Sequence, residues 1–221
     1  MRYQAALRPD FFPIINDFSR SAFSPREREF QVKRYNFPPG MPSPRYALVA
    51  YVKSPAGEFV EKLRRELHPD LPHLAAHLSI LPPRLLQGSE SQAIEVLERI
   101  CGQEEPFEVM LGCVETFAPV TPTIFIRIEA AGQRMCQLHE KLNIDGLQYS
   151  EEWPYIPHLT IAKMGAEHLA RTAYETARKR WDHYSGTRRI LLEKLTFVRE
   201  ESPNCWVDIA PVRLGRRLVS R

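Results

Sequence analysis

No stretch of the 221-residue sequence approaches the roughly 18 apolar residues of a membrane span, and the amino-terminal MRYQAALRPDFFPIINDFSR lacks the uninterrupted apolar core of a signal peptide. Cysteine is sparse: Cys101, Cys113, Cys136 and Cys205 form no C-x-x-C pair, so neither a zinc ribbon nor a disulfide framework is indicated, and all four read as reduced, buried residues. Charge of one sign is also missing. Lys and Arg number 30 against 27 Asp and Glu, and a net +3 is too mild to signal nucleic-acid binding by itself. The H-E-x-x-H and G-x-S-x-G signatures are absent. These absences leave a soluble, cytoplasmic protein as the expectation, a monomer with no membrane association and no obligate protein partner.

What is present is enough apolar sequence for a sizeable core. Residues 1–44, ending in the irregular FPPGMPSP, read as an extension packed onto a domain spanning 45–221. RYALVAYV (45–52) suits a central strand, and GEFVEKLRREL (57–67) places Phe59, Val60, Leu63 and Leu67 on one helical face. HLSIL (77–81) is a short strand stopped by Pro82-Pro83, and Ser89 with Gln92 forms a capping box for ESQAIEVLERIC. Strands follow at 106–117, with Phe107, Val109, Leu111 and Cys113 on one face, and at 123–130, with Ile124, Ile126 and Ile128 on one face. A helix at 131–142, a strand at 155–164, a helix at 167–181 and two final strands, RRILLEKLTFVRE and NCWVDIAPVRL, complete an α+β pattern of antiparallel strands interrupted by single helices. The order helix, H-L-[ST]-I strand, helix occurs twice, which suggests duplication.

The repeated tetrapeptide carries the chemistry. In a strand successive side chains alternate faces, so His77-Leu78-Ser79-Ile80 presents an imidazole and a hydroxyl together while burying two aliphatics, and His158-Leu159-Thr160-Ile161 does the same. Displacement at phosphorus is in line, so the entering and leaving oxygens each need a proton-transfer group, and two histidines meet that need without a metal or other cofactor. Ser79 and Thr160 would position the non-bridging oxygens by hydrogen bonding. Among seven histidines about one H-x-[ST] match is expected by chance. His183-Tyr184-Ser185 is such a decoy, in a polar stretch without alternation; the shared context on two strands separates the other two from it.

In these motifs the chain resembles the two-histidine (2H) phosphoesterase superfamily, which includes the 2′-5′ RNA ligase-like proteins and cyclic nucleotide phosphodiesterases and is marked by a duplicated H-x-[ST]-x motif. HLSILPP is similar to the first motif with its prolines, and YIPHLTIAK to the second with its preceding aromatic and proline; the 81-residue spacing between the histidines fits as well. The resemblance runs over roughly residues 45–213. It implies a bilobed, duplicated fold with two antiparallel sheets forming a central cleft and helices outside, His77 and His158 as catalytic residues, and Ser79 and Thr160 as their phosphate-positioning partners. It implies an RNA end, a cyclic nucleotide or an oligonucleotide as substrate.

Other candidates are weaker. Phe125 and Arg127 share the face opposite the isoleucine ridge and could stack on a base and pair with phosphate, or simply face solvent. Tyr155 could stack on a base or pack near a strand start. Lys163 has the opposite strand parity to His158 and so carries less weight, and His139 and His168 fall on helices without an evident partner. His68, His73 and His77, with Asp70 between, raise a metal-dependent hydrolase, but Pro69 and Pro72 interrupt any helix that would converge them, and no metal is expected. A third class is a non-catalytic RNA- or nucleotide-binding module, against which the intact histidines and hydroxyls argue.

Overall fold

The computed structural model describes residues 44–67 and 74–215. The expected extension therefore falls, apart from Pro44, outside the described residues, as do His68, Asp70 and His73. The strands are β1 (Tyr46–Tyr51), β2 (His77–Arg84), β3 (Phe107–Thr116), β4 (Thr123–Ala130), β5 (His158–Lys163), β6 (Arg189–Leu192), β7 (Lys194–Ser202) and β8 (Cys205–Arg213). The helices are α1 (Pro55–Leu67), α2 (Glu90–Cys101), α3 (Gly132–Leu142) and α4 (Glu167–Asp182). The α+β reading holds, and the capping box of α2 forms as the sequence predicts, with Ser89 N–H donating to Gln92 Oε1 and Gln92 N–H to Ser89 Oγ. Among the described residues no helix is long and apolar enough to cross a membrane.

The expectation of two sheets is corrected. These eight strands join in one antiparallel sheet, ordered β6-β3-β4-β5-β2-β1-β7-β8. The halves are continuous because the two motif strands pair with each other at Leu78 and Leu159, so among the described residues there is no separate second sheet. RRILLEKLTFVRE is likewise two strands rather than one. It breaks at Glu193, β6 pairing with β3 and β7 with β1. Since one residue spans about 7 Å between its neighbours' Cα atoms, this link brings the margin of one half against the other and curls the sheet.

Leu78, Ile80, Leu159, Ile161 and the isoleucine ridge of β4 are buried, in one core with Leu63 of α1, Leu97 of α2, Leu138 of α3 and Trp181 of α4. Helices cover this face because each carries an apolar stripe at the 3.6-residue period. The opposite face carries the polar residues of the motifs beside a small second apolar cluster of Ala47, Val49, Leu74 and Val198.

β-Bulges reset the alternation at three places that matter. On β3 the register slips on both sides of Leu111, which buries Gly112 and turns Cys113 outward. Cys113 is therefore exposed, against the expectation of a buried thiol, and Cys136 and Cys205 are only half-buried; Cys101 is buried, and all four are free. The Gly112 carbonyl accepts Trp181 Nε1–H at 2.7 Å. A Cβ on Gly112 would lie 3.1 Å from Glu129 Cβ, so the close crossing favours glycine there. The other two bulges lie in the motif strands.

Candidate active site

His77 opens β2 and His158 opens β5, and the first five residues of each strand share one burial pattern: half-buried, buried, half-buried, buried, buried. With Leu78 opposite Leu159, the antiparallel register sets His77 beside Thr160 and Ser79 beside His158. The histidines thus occupy a diagonal of this quartet, a position at which neighbours lie about 7–8 Å apart by sheet geometry, somewhat less between Cβ atoms, a gap suited to a phosphoryl group between two imidazoles. All four side chains line one cleft of about 680 Å³.

Both imidazoles are oriented in the same way. His77 Nδ1 lies 2.7 Å from the Ala75 carbonyl and His158 Nδ1 2.6 Å from the Ile156 carbonyl. A carbonyl only accepts, so each Nδ1 carries the proton and each Nε2 is left free for chemistry. Burial lowers His77 to about 4 against the raising effect of the Ala75 carbonyl, and the charges of Arg64, Lys163 and His158 push the same way as burial. Burial also lowers His158, opposed by the Ile156 carbonyl and assisted by Lys163. The Phe117 and Phe125 rings stack with centroids 4.1 Å apart, and both lie in T-shaped contact with the His158 ring, at 5.1 and 5.2 Å.

The segment that aims His77 is itself pinned by α1. Glu61 accepts the Ala76 N–H at 2.8 Å and pairs with Arg64 at 3.0 Å, and Arg64 donates to the Leu74 carbonyl at 3.0 Å. Arg64 is 4% exposed and lines the cleft, a cation that sequence patterning does not mark because it sits on a helix.

Lys163 also lines the cleft, contrary to its sequence parity. Phe125 pairs with Thr160 and Ile124 with Ala162, so Ile161 is an extra residue, and the bulge returns Lys163 to the face of His158 and Thr160. The β1–β2 register skips Ile80 in the same manner, between Ser79 and Leu81. Lys163 makes no ion pair among the described residues; burial and the nearby Arg45 charge lower its pKa. Two consecutive apolar residues after the motif hydroxyl, Ile80-Leu81 and Ile161-Ala162, are the signal in the sequence that could have found both bulges.

The weaker candidates separate. Phe125 is 2% exposed and packs beneath His158, so its place is that of a wall rather than an open stacking surface. Arg127, opposite His158 on β4, is 60% exposed, pairs with Glu115 at 3.3 Å and is not among the cleft-lining residues. Tyr155 borders the cleft while its hydroxyl donates to the Ser79 carbonyl at 2.6 Å. Exposed Val120, Tyr149, Trp153 and Ile156 form an apolar rim, joined by Trp206 of β8. Among the described residues no three His, Cys, Asp or Glu side chains gather as a metal site.

Known proteins resemble this chain in sequence and in fold. A protein of Oceanobacillus iheyensis provisionally named a phosphoesterase is 33% identical over 93 residues, covering 38% of this chain and 54% of its own length. One of Bacillus pumilus, similarly named, is 22% identical over 120 residues, 54% of this chain and 70% of its own. The chain thus spans only about half the length of the first of these relatives. Two solved structures share the fold: TT0787 of Thermus thermophilus (TM-score 0.52, 17% identity, 78% of this chain and 98% of that one) and E. coli LigT complexed with NADP+ (TM-score 0.50, 13% identity, 79% and 100%). The sequence profile of the 2′-5′ RNA ligase superfamily matches residues 52–203. The chain therefore belongs to the 2′-5′ RNA ligase superfamily of two-histidine phosphoesterases.

Proposed function

We propose that the protein is a metal-independent phosphodiesterase that opens 2′,3′-cyclic phosphate ends of RNA or nucleotides by two-histidine general acid–base catalysis. In the reverse sense the same site would join such an end to a 5′-hydroxyl through a 2′-5′ linkage. The observation that carries the reading is the matched pair of imidazoles, each held through Nδ1 by the carbonyl two residues before it, on a diagonal flanked by Ser79 and Thr160. E. coli LigT, which shares the fold, has been solved with NADP+, with phosphate and with 3′-AMP, and a nucleotide ligand is carried to this chain as part of the proposal.

His77 is lowered to about 4 and stands near the Arg64 charge, so it is the base: its Nε2 takes a proton from water as the water oxygen bonds to phosphorus. His158 gives its Nε2 proton to the departing 3′-oxygen as the P–O3′ bond breaks, which leaves a 2′-phosphate and a 3′-hydroxyl. Ser79 and Thr160 hydroxyls donate to the non-bridging oxygens, and Lys163 offsets their charge. The Phe117–Phe125 pair walls one side of His158 from water.

The test is turnover, in chelator, of a panel containing 2′,3′-cyclic nucleotides, cyclic-phosphate-ended RNA, ADP-ribose cyclic phosphate and 2′-5′ oligoadenylate. Hydrolysis of a cyclic phosphate is the expected result; failure on every member would overturn the reading.

The pH dependence follows from the lowered histidines. The active free enzyme needs His77 neutral and His158 protonated. The rise of kcat/KM with pH is set by His77, near 4, and its fall by His158, below its ordinary 6.5. The kcat/KM bell is therefore expected to peak on the acid side of 6.5. Bound phosphodiester anion favours both imidazolium forms, so the kcat bell should lie at higher pH than the kcat/KM bell. Coincident bells centred above about 7 would contradict this account.

A further inference from the structure

The bulge at Ile80 leaves the carbonyls around it poorly placed for regular ladders, and side chains take them up. Tyr155 Oη donates to the Ser79 carbonyl at 2.6 Å, His139 Nδ1 to the Ile80 carbonyl at 2.8 Å, and Arg84 Nε to the Pro82 carbonyl at 3.0 Å. The Tyr155 and His139 rings lie face to face, centroids 4.2 Å apart and planes within 4°. Glu151 backs the pair, its Oε1 at 3.5 Å from His139 Nε2 and 2.8 Å from Arg84 Nη2. β5 bears a bulge at the corresponding residue, yet among the described residues no side chain donates to a carbonyl of residues 160–163. The two motifs are alike in sequence, and among the described residues only the first is braced in this way.

We propose that Tyr155 and His139 are positioning residues: their stacked rings clamp the Ser79 and Ile80 carbonyls, fix the bulge of β2, and so set the Ser79 hydroxyl toward the phosphate. This rests on the phosphoesterase reading of the cleft. His139 is well suited to act at one remove, since it is 7% exposed and is not among the residues lining the cleft of His77 and His158; it borders an adjoining cavity of about 590 Å³ that shares Tyr155 with that cleft. Rigid placement is also where a small displacement costs most, because a misplacement on the order of 1 Å can cost about 10²-fold in rate.

Tyr155→Phe removes one donor and keeps the stack; His139→Leu removes the other donor; His139→Asn returns an N–H near the Nδ1 position. Tyr155→Phe and His139→Leu are each expected to lower kcat by about 10-fold or more with KM little changed, and His139→Asn to recover much of that loss. In a Ser79→Ala background neither should cause further loss, because the group they place is gone. Full multiplicative losses in that background would overturn the proposal. A readout independent of turnover is amide hydrogen exchange, expected to quicken at Ile80 and Leu81 in Tyr155→Phe while β5 stays protected. Unchanged exchange there overturns the brace whether or not the protein turns over. Faster exchange in that variant, with a wild-type protein inactive on the whole panel, would instead retain the brace and remove the phosphoesterase reading.

Discussion

Replacing either His77 or His158 by alanine is expected to lower kcat/KM on a 2′,3′-cyclic nucleotide by about 10²–10⁴-fold, the contribution usual for a positioned general acid or base. The geometry makes the two losses comparable, because each imidazole has the same anchoring bond, the same place at the head of its strand and the same kind of flanking hydroxyl. The double variant should lose little more than the worse single one. Once in-line proton transfer fails at one oxygen, the partner on the other side has little left to assist. Both rings are half-buried on the cleft face rather than in the core, so the folded state should persist and circular dichroism should be unchanged. Single variants that keep activity within about tenfold of wild type would exclude the paired mechanism.

The largest stability effect is expected at Arg84. This guanidinium is 1% exposed and donates to Asn143 Oδ1 at 2.7 Å, to Glu151 Oε1 at 2.8 Å and to the carbonyls of Leu147 and Pro82 at 3.0 Å each. Arg84→Met fills much of the volume but strands these acceptors, among them a half-buried carboxylate. Breaking one side of a buried pair costs about 3–5 kcal/mol. For a chain of this size that corresponds to a Tm drop of roughly 6–20 °C, measurable by calorimetry or urea unfolding. Adding Glu151→Leu should restore part of the loss, since the uncompensated charge is then removed. A single variant that melts with wild type would show that the network contributes no net stability.

The sequence made the strands, the motif pair and the α2 cap legible because each rests on local periodicity or on contacts three or four residues apart. Its failures share a cause. An alternation rule carries facing information along a strand only until a bulge, and bulges at Gly112, Ile80 and Ile161 invert the reading of Cys113 and move Lys163 to the other face. His139 is unreadable for another reason. Its partners, the Ile80 carbonyl, Tyr155 and Glu151, lie 12 to 59 residues away, and two of its three contacts depend on where the loop before β5 comes to rest. Arg127 shows the converse: its parity does set it beside His158, but Glu115 on the neighbouring strand draws it away. Two sheets are the natural expectation because the duplication is visible in the sequence, whereas the single ladder contact at Leu78 and Leu159 that fuses them is not.

The strand order is symmetric about the β2–β5 pair, with β4 matched by β1, β3 by β7 and β6 by β8. The first half runs β1, α1, β2, α2, β3, and the second repeats that order as β4, α3, β5, α4, β7 with β6 inserted before β7; each half lends its final strand to the other, β3 pairing with β4 and β7 with β1. Such an exchange is what two identical subunits make when they domain-swap about a twofold axis. The same arrangement is present here within one polypeptide, with the β2–β5 pair at Leu78 and Leu159 at its centre. The symmetry belongs to the strand order and not to the side chains: among the described residues, side chains donate to the carbonyls at the Ile80 bulge and none does so at the Ile161 bulge.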